Sequence, residues 1–381
     1  MEFNRREFIK KGIITAGGIG SLALSEIFAS EYVIAGDSKI TDEWKNIPVT
    51  SVNTDIGVTF RPSQARWFGI NPYEVYDYLL SENIGIIRLG IYWNKVLKPD
   101  GSIDLSSVEK LVRLASQKNK KVIVSVGMKA PGYPEYYIPS KLTPNVPDGS
   151  VLSLHNTNLD FQGNLISFIE TSSASISSWQ EQYGAIYAIQ LENEPFLKNG
   201  INRWSISEDL ISLEFNTLQG NIRNNIPVMI TGFLNTNMLS QIQNTFGVQD
   251  SLSQIGNLSD ITGYDYYPVV PGLSFPFGRT GYLDTRRYPF SEWEKNRLAR
   301  SHDMLIASEV QAEPWELVAR NHYPKGIAPF SCKPEDIIRN YNFCVKNTPP
   351  QALLFWGFEY MYSRYTQGDT EYIDALHRIT G

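Results

Sequence analysis

Eight short apolar runs, separated by amphipathic helical patterns or long loops, predict an α/β chain folded as a single (β/α)8 TIM barrel with long loops after strands 3 and 6. The runs are Ile56–Phe60, Ile84–Tyr92, Lys121–Val126, Ile186–Leu191, Pro227–Phe233, Ile261–Tyr266, Met304–Ser308 and Ala352–Phe358. Between them, Pro72–Glu82, Ser106–Lys118, Leu159–Gln182, Ser207–Asn224 and Pro334–Lys346 carry apolar residues at three- and four-residue spacing, the period of a helix with one buried face. Alternation of this kind eight times over closes a parallel sheet on itself. No Pro/Gly/Ser linker, internal repeat or low-complexity segment divides the pattern, so residues 36–381 read as one domain.

A plain barrel takes ~250 residues, and residues 36–381 exceed that by about a hundred. The excess falls in Lys129–Asn158 and Tyr267–Arg300, both rich in Pro, Gly and aromatics. Each follows a strand, which places it on the barrel face that carries active sites. Both therefore read as walls of a substrate cleft.

The N-terminus begins Asn4-Arg-Arg-Glu-Phe-Ile-Lys10 and continues through a Gly-rich apolar stretch from Gly12 to about Leu24. Paired arginines before a weakly hydrophobic segment are the pattern of a twin-arginine export signal. The apolar stretch is shorter than the ~20 residues that span a bilayer. Residues 1–35 are read as this signal, with cleavage after Ala35, Ser30 or Ser25, and a periplasmic or extracellular protein without stable membrane insertion as the product. The net charge of -6 survives removal of that segment, since it holds as many acidic as basic residues. A mildly acidic chain without a basic run has no electrostatic footprint for nucleic acid.

Cys332 and Cys344 are the only cysteines, too few for a disulfide scaffold or a multi-thiolate metal site. The helix read from Pro334 lifts Cys344 ~15 Å along its axis, whereas bridged Cα atoms lie within ~7 Å. Two buried, unbridged thiols are expected. His155, His302, His322 and His377 show no metal-ligand spacing, so no metal or organic cofactor is expected.

The chemistry is carried by two glutamates 115 positions apart. Glu194 stands in Gln190-Leu-Glu-Asn-Glu-Pro-Phe196 after the fourth run, and Glu309 in Leu305-Ile-Ala-Ser-Glu-Val-Gln311 after the seventh. Carboxylates delivered from two strand ends of a barrel suit glycoside hydrolysis, one protonating the departing oxygen and one attacking the sugar carbon. Period-two alternation makes Glu192 and Glu313 rivals. Glu192 lies earlier, where a buried and paired carboxylate is expected, and Glu313 lies further into a loop with Pro314 and Trp315.

With Asn193-Glu194-Pro195 after strand 4 and Glu309 after strand 7, the chain resembles the clan of retaining (β/α)8 glycoside hydrolases that includes cellulases, mannanases and several β-galactosidase families. The resemblance implies that Glu194 is the acid/base and Glu309 the nucleophile. It further implies that Arg88 sits beside the nucleophile, Asn193 binds the sugar 2-hydroxyl, Tyr267 hydrogen-bonds the nucleophile and Trp356 is the platform under the sugar. Trp93, Tyr133, Trp315, Trp204 and Glu359 are further candidates for sugar subsites. One departure stands out. Several of these families carry a histidine after strand 3 and another before the strand-6 tyrosine, where this chain reads Val126-Gly-Met-Lys-Ala-Pro-Gly-Tyr133 and Asp265-Tyr-Tyr267.

The expected activity is a retaining double displacement on β-linked poly- or oligosaccharides, with endo action slightly favoured by the two long loops over exo action on a terminal galactoside or glucoside. The rival of another class is a catalytically silent carbohydrate-binding barrel, which would keep the aromatics and lack one of the carboxylates.

Overall fold

The computed structural model describes residues 38–233, 258–274, 280–284, 304–316 and 325–381, with Ile255 and the strand Tyr32–Ile34. Nearly all of the export segment, all of 285–300, His302 and His322 lie outside the described residues.

The eight predicted strands are present. They are β1 (Asp55–Phe60), β2 (Ile86–Gly90), β3 (Lys121–Val126), β4 (Ile186–Leu191), β5 (Val228–Phe233), β6 (Ile261–Tyr266), β7 (Leu305–Gln311) and β8 (Ala352–Trp356). They pair in parallel in chain order and close, β8 on β1 and β4 on β5, into one barrel. The predicted helices appear as Pro72–Ser81, Ser106–Gln117, Leu159–Tyr183, Glu208–Asn221 and Pro334–Asn347. Their starts follow local chemistry. The Asn71 and Asn158 side chains accept from the N–H groups of Tyr73 and Phe161, and Pro72 occupies the first helical position. Among the described residues four α-helices escaped the pattern, Pro62–Trp67, Trp93–Val96, Phe358–Thr366 and Glu371–Thr380. The first two are too short to show a period; Phe358–Thr366 follows β8 directly and is rich in Tyr rather than aliphatic residues, and Glu371–Thr380 follows it after a short turn.

The barrel interior is stratified. Ile86, Ile123, Ala188, Met229, Ile261, Ile306, Ala352 and Leu354 form a buried apolar cluster contributed only by strands. Two residues further along, the same inward positions hold Arg88, Ser125, Gln190, Thr231 and, on β6 after Gly263, Asp265, all fully buried. Side chains two apart share a strand face, so this switch from apolar to polar fixes the C-terminal end as the functional one. The main core lies between the strands' outer faces and the helices.

On β7 the register slips by one residue against both neighbours, between Tyr264 and Asp265 on β6 and between Ala307 and Val310 on β7. Strict alternation from the inward Ile306 would point Ser308 in and Glu309 out. The bulge turns both inward, a known use of an extra strand residue beside active sites. Glu309 therefore stands within the strand, which runs to Gln311, rather than at its end.

The two long loops carry structure. Val151–Leu152 pairs with Ser205–Ile206, tying the loop after β3 to the loop after β4, and Trp204 Nε1 donates to Pro147 O at 2.9 Å. After β6, Val269–Ser274 and Thr280–Asp284 form a hairpin, with Tyr32–Ile34 as its third strand. Cys332 and Cys344 are both buried and unbridged, and burial pushes the Cys344 thiol up to about 12.

Candidate active site

Glu309 is held on both oxygens. Arg88 Nη2 donates to Oε1 and the Tyr267 hydroxyl to Oε2, each at 2.6 Å. Arg88 is itself fixed, its Nε donating to Thr59 Oγ1 at 2.9 Å and its Nη1 to Gln190 Oε1 at 3.1 Å. Arg88 is fully buried and Glu309 nearly so, which makes the contact a buried, charge-assisted hydrogen bond of the strong kind. Gln190 extends the array through its amide N–H, which donates to Asn193 Oδ1 at 3.0 Å.

Glu194 sits three residues past β4 in a turn whose glutamates, 192 and 194, both have left-handed φ, 56° and 45°. Non-glycine residues in that region cost energy and persist where the surroundings hold them. Here the Glu194 N–H donates to Thr231 Oγ1 at 2.9 Å, and Lys129 Nζ donates to the carbonyls of Glu194 (2.6 Å) and Leu197 (3.2 Å). Asn199 Nδ2 donates to Glu194 Oε2 at 3.1 Å. Burial first, and then the charge on Glu309, raise the Glu194 carboxyl to about 7 against the opposing pull of Lys129.

A third carboxyl completes this group. Asp265 is fully buried on β6; Ser308 Oγ donates to its Oδ1 at 2.6 Å, and its Oδ2 has no donor among the described residues. That carboxyl meets the Glu194 carboxyl, and a hydrogen bond between two carboxyl groups requires a proton on one of them. Burial, followed by the charges of Glu309 and Glu194, pushes Asp265 well above the usual carboxylate range, so Asp265 is the donor.

Trp356 is fixed by a second array. Its Nε1 donates to Glu313 Oε1 at 2.9 Å, and the Arg61 guanidinium lies 3.9 Å from its ring centroid. Arg61 is bidentate to Glu313 (3.1 and 2.9 Å) and also binds Glu359 Oε2 (2.9 Å). Glu313 and Glu359 are thus engaged in aiming the ring. Gly357 permits the arrangement at φ 121°, since a Cβ there would fall 2.5 Å from Glu313 Cβ. Trp315 flanks the site, its ring 5.3 Å from that of Tyr267.

The structure brings Glu194, Glu309, Arg88, Asn193, Tyr267 and Trp356 to one end of the barrel and leaves two candidates elsewhere. Trp93 is 1% exposed and stacks on Phe168 at 5.2 Å in the core outside the barrel, because it opens a short helix facing Leu159–Tyr183. Trp204 is likewise core, edge-on to Tyr136. Tyr133 is half-exposed in the loop after β3, its carbonyl accepting from the Tyr137 hydroxyl at 2.8 Å. Lys129, Asp265, Thr231 and Gln190 were missed as site residues. The inward polar positions two residues beyond the apolar layer were the available signal.

Glu192 is fully buried and occupied. It accepts from the N–H groups of Met128 (2.6 Å) and Lys129 (2.5 Å), and a Cβ on Gly127, at φ 133°, would fall 2.3 Å from Glu192 Oε1. Its carboxyl also meets that of Glu214 on the helix Glu208–Asn221. Burial raises Glu192 to about 7 and Glu214 well above the carboxylate range. Two N–H donors favour charge on Glu192, so Glu214 holds the shared proton. The folded pair keeps protons that an unfolded chain releases near pH ~4.3, so its contribution to stability is lost as pH rises through about 7. Glu214→Gln, which keeps a neutral donor, is expected to flatten the alkaline fall in Tm. Glu214→Ala is expected to cost about 3 kcal/mol in denaturant unfolding at pH 7.

Among the described residues no group of three or more His, Cys, Asp or Glu side chains is placed to hold a metal ion, and no helix is long and apolar enough to cross a membrane.

No family model and no curated protein matches the sequence. Among solved structures, the chain is similar to GH5_18 from Streptomyces cattleya in complex with GlcNAc, at 12% identity and TM-score 0.53 over 87% of this chain and 81% of that one. It is also similar to a variant of GH5_18 from Bifidobacterium longum subsp. longum in complex with Manb1-4GlcNAc, at 13% identity and TM-score 0.51 over 80% and 68% of the two chains. At these identities the likeness is one of fold, the (β/α)8 barrel.

Proposed function

We propose that this protein is a retaining glycoside hydrolase acting on β-linked poly- or oligosaccharides, with Glu309 as nucleophile and Glu194 as acid/base. The observation that carries the reading is the asymmetry of the pair. Glu309 has both oxygens engaged by donors that favour its charge, while Glu194 is raised to about 7 and keeps its proton near neutrality. Opposite protonation states in neighbouring carboxyls are what a double displacement starts from.

In the first step Glu309 attacks the anomeric carbon, the bond to the leaving oxygen breaks, and Glu194 delivers its proton to that oxygen. The ester formed on Glu309 carries no charge, so the repulsion that held the proton on Glu194 is gone. Asp265 now donates to a Glu194 carboxylate, which takes a proton from water as the water opens the ester. Arg88 and Tyr267 steady Glu309 as it leaves. Trp356, aimed by Glu313 and Arg61, offers a flat apolar face to the sugar ring. The similar solved structures hold GlcNAc and Manb1-4GlcNAc, in keeping with a neutral carbohydrate ligand. Endo action fits the walls raised by residues 129–158 and the hairpin after β6.

Export by a twin-arginine signal to the periplasm or beyond is part of the proposal. Cleavage after Ser25 or Ser30, unlike cleavage after Ala35, retains Tyr32–Ile34 as the third strand beside the hairpin.

Because Glu194 must enter protonated, kcat/KM is expected to fall tenfold per pH unit above about 7. In Glu194→Gln that limb should vanish, and an alkaline limb unchanged in the variant would remove Glu194 from the acid role. The reading itself is tested by hydrolysis of aryl β-glycosides and of β-linked mannans, glucans, xylans and galactans by the chain and by Glu309→Gln. Activity confined to the parent chain supports it. A folded protein that binds these glycans and cleaves none is instead the silent binding barrel.

A further inference from the structure

A fourth carboxyl group faces the catalytic pair and takes no part in the mechanism above. Glu135 lies in the loop after β3, with φ 76°, a left-handed conformation that a glutamate adopts only under constraint. The constraint is visible. Its N–H donates to Gly132 O at 2.8 Å, its carbonyl accepts from Ala130 N–H at 3.1 Å, and the flanking Lys129 and Tyr136 are bridged to each other. From the other side Gly200, in the loop after β4, packs so closely that a Cβ there would fall 3.0 Å from Pro134 O and 3.2 Å from Glu135 Cβ. Two loops therefore clamp one side chain in place.

The clamp aims that side chain at the site. The Glu135 carboxyl reaches Asn193 and lies near enough to Lys129, Glu194 and Glu309 to feel their charges. The residue is half-buried, yet its Oε2 is screened from solvent and has no hydrogen-bond partner among the described residues. A buried acceptor left unmatched costs free energy, and such atoms in a cleft are commonly completed by a ligand. A glycoside whose anomeric carbon lies between Glu194 and Glu309 brings its own ring hydroxyls to the same end of the barrel as this carboxyl.

We propose that Glu135 is a specificity-determining residue of the cleavage subsite, its Oε2 hydrogen-bonding one hydroxyl, or two adjacent hydroxyls, of a neutral sugar ring. This rests on the glycosidase reading. Burial raises the Glu135 carboxyl to about 8 despite the neighbouring Lys129 ammonium. At neutral pH it is a carboxylic acid that both donates and accepts, as a sugar hydroxyl does. The same ammonium disfavours an amino sugar by repulsion. Glu135 acts in recognition and exchanges no proton with the reacting atoms.

The test uses the aryl β-glycoside that the parent chain hydrolyses, with its 2-, 3-, 4- and 6-deoxy analogues. It compares kcat/KM for the parent chain, Glu135→Gln and Glu135→Gly, the last chosen because glycine accepts φ 76° without strain. Glu135→Gly is expected to lose on the order of 100-fold on the full sugar, and less than about threefold on the one or two analogues lacking the hydroxyl that Glu135 holds. Glu135→Gln, neutral and of the same length, is expected to stay within about tenfold of the parent on the full sugar. An equal loss on every analogue, or a Gln variant as poor as Gly, overturns the proposal. Glu309-dependent hydrolysis that is indifferent to Glu135 overturns this inference and leaves the glycosidase reading standing. A parent chain inactive on every glycoside removes that reading, and this inference with it.

Discussion

Glu309→Gly is expected to abolish turnover, with kcat falling on the order of 10⁵-fold, as when other enzymes lose a covalent nucleophile. The loss of turnover is chemical, and Arg88 retains Thr59 and Gln190 as partners when the carboxylate is removed. The glycine also opens space on that face of the sugar. Added azide should enter there and restore part of the rate on an activated aryl β-glycoside, giving an α-glycosyl azide because attack comes once and inverts. A β-glycosyl azide would assign Glu309 to the acid/base position. An Arg88 left buried beside a deleted partner costs stability, so the variant's melting curve should accompany the rates.

The second large effect is expected at Glu194, and it depends on the leaving group. Glu194→Ala should lose about 10²- to 10⁴-fold in kcat/KM on substrates with poor leaving groups, the usual share of general acid catalysis. Activated aryl glycosides, which depart without a proton, should be hydrolysed with kcat/KM nearly unchanged and kcat lowered by slow opening of the ester. Equal losses on both kinds of substrate would take the acid role from Glu194. Asp265 makes the comparison sharper. With Glu194 truncated, a protonated carboxyl remains on β6, and any residual acid catalysis should vanish in Glu194→Ala/Asp265→Asn.

The sequence announced the barrel well because its strands are apolar runs bounded by clear helix starts. Lys121–Val126 and Ile186–Leu191 match their readings residue for residue. The bulge on β7 had no such signal. Ile306-Ala-Ser-Glu309 reads as an ordinary strand, and only pairing with β6 and β8 reveals that Ser308 and Glu309 both turn inward. Glu192 was legible as a buried, paired carboxylate by its place in the strand, but its partner Glu214 lies 22 positions away on a helix whose period marks that position simply as inward-facing. Trp93 misled for the opposite reason. Its position after β2 suggested the cleft, whereas the short helix it opens turns the indole outward onto Phe168.

The histidine positions of the resembling families carry the sharpest lesson. After β3 this chain presents Lys129, which binds the backbone under Glu194, and before Tyr267 it presents Asp265, which meets the Glu194 carboxyl. Both residues bear on Glu194, one through a fixed ammonium and one through a proton-bearing acid. Neither role follows from residue type alone, because each depends on burial and on which carboxyl lies opposite.

The most direct test of the two-glutamate account is the anomeric configuration of the sugar first released, followed by proton NMR before mutarotation equilibrates it. The account predicts the β-anomer first from a β-glycoside, by way of an ester on Glu309. Initial release of the α-anomer would mean a single displacement by water, and would contradict the assignment of Glu309 as nucleophile.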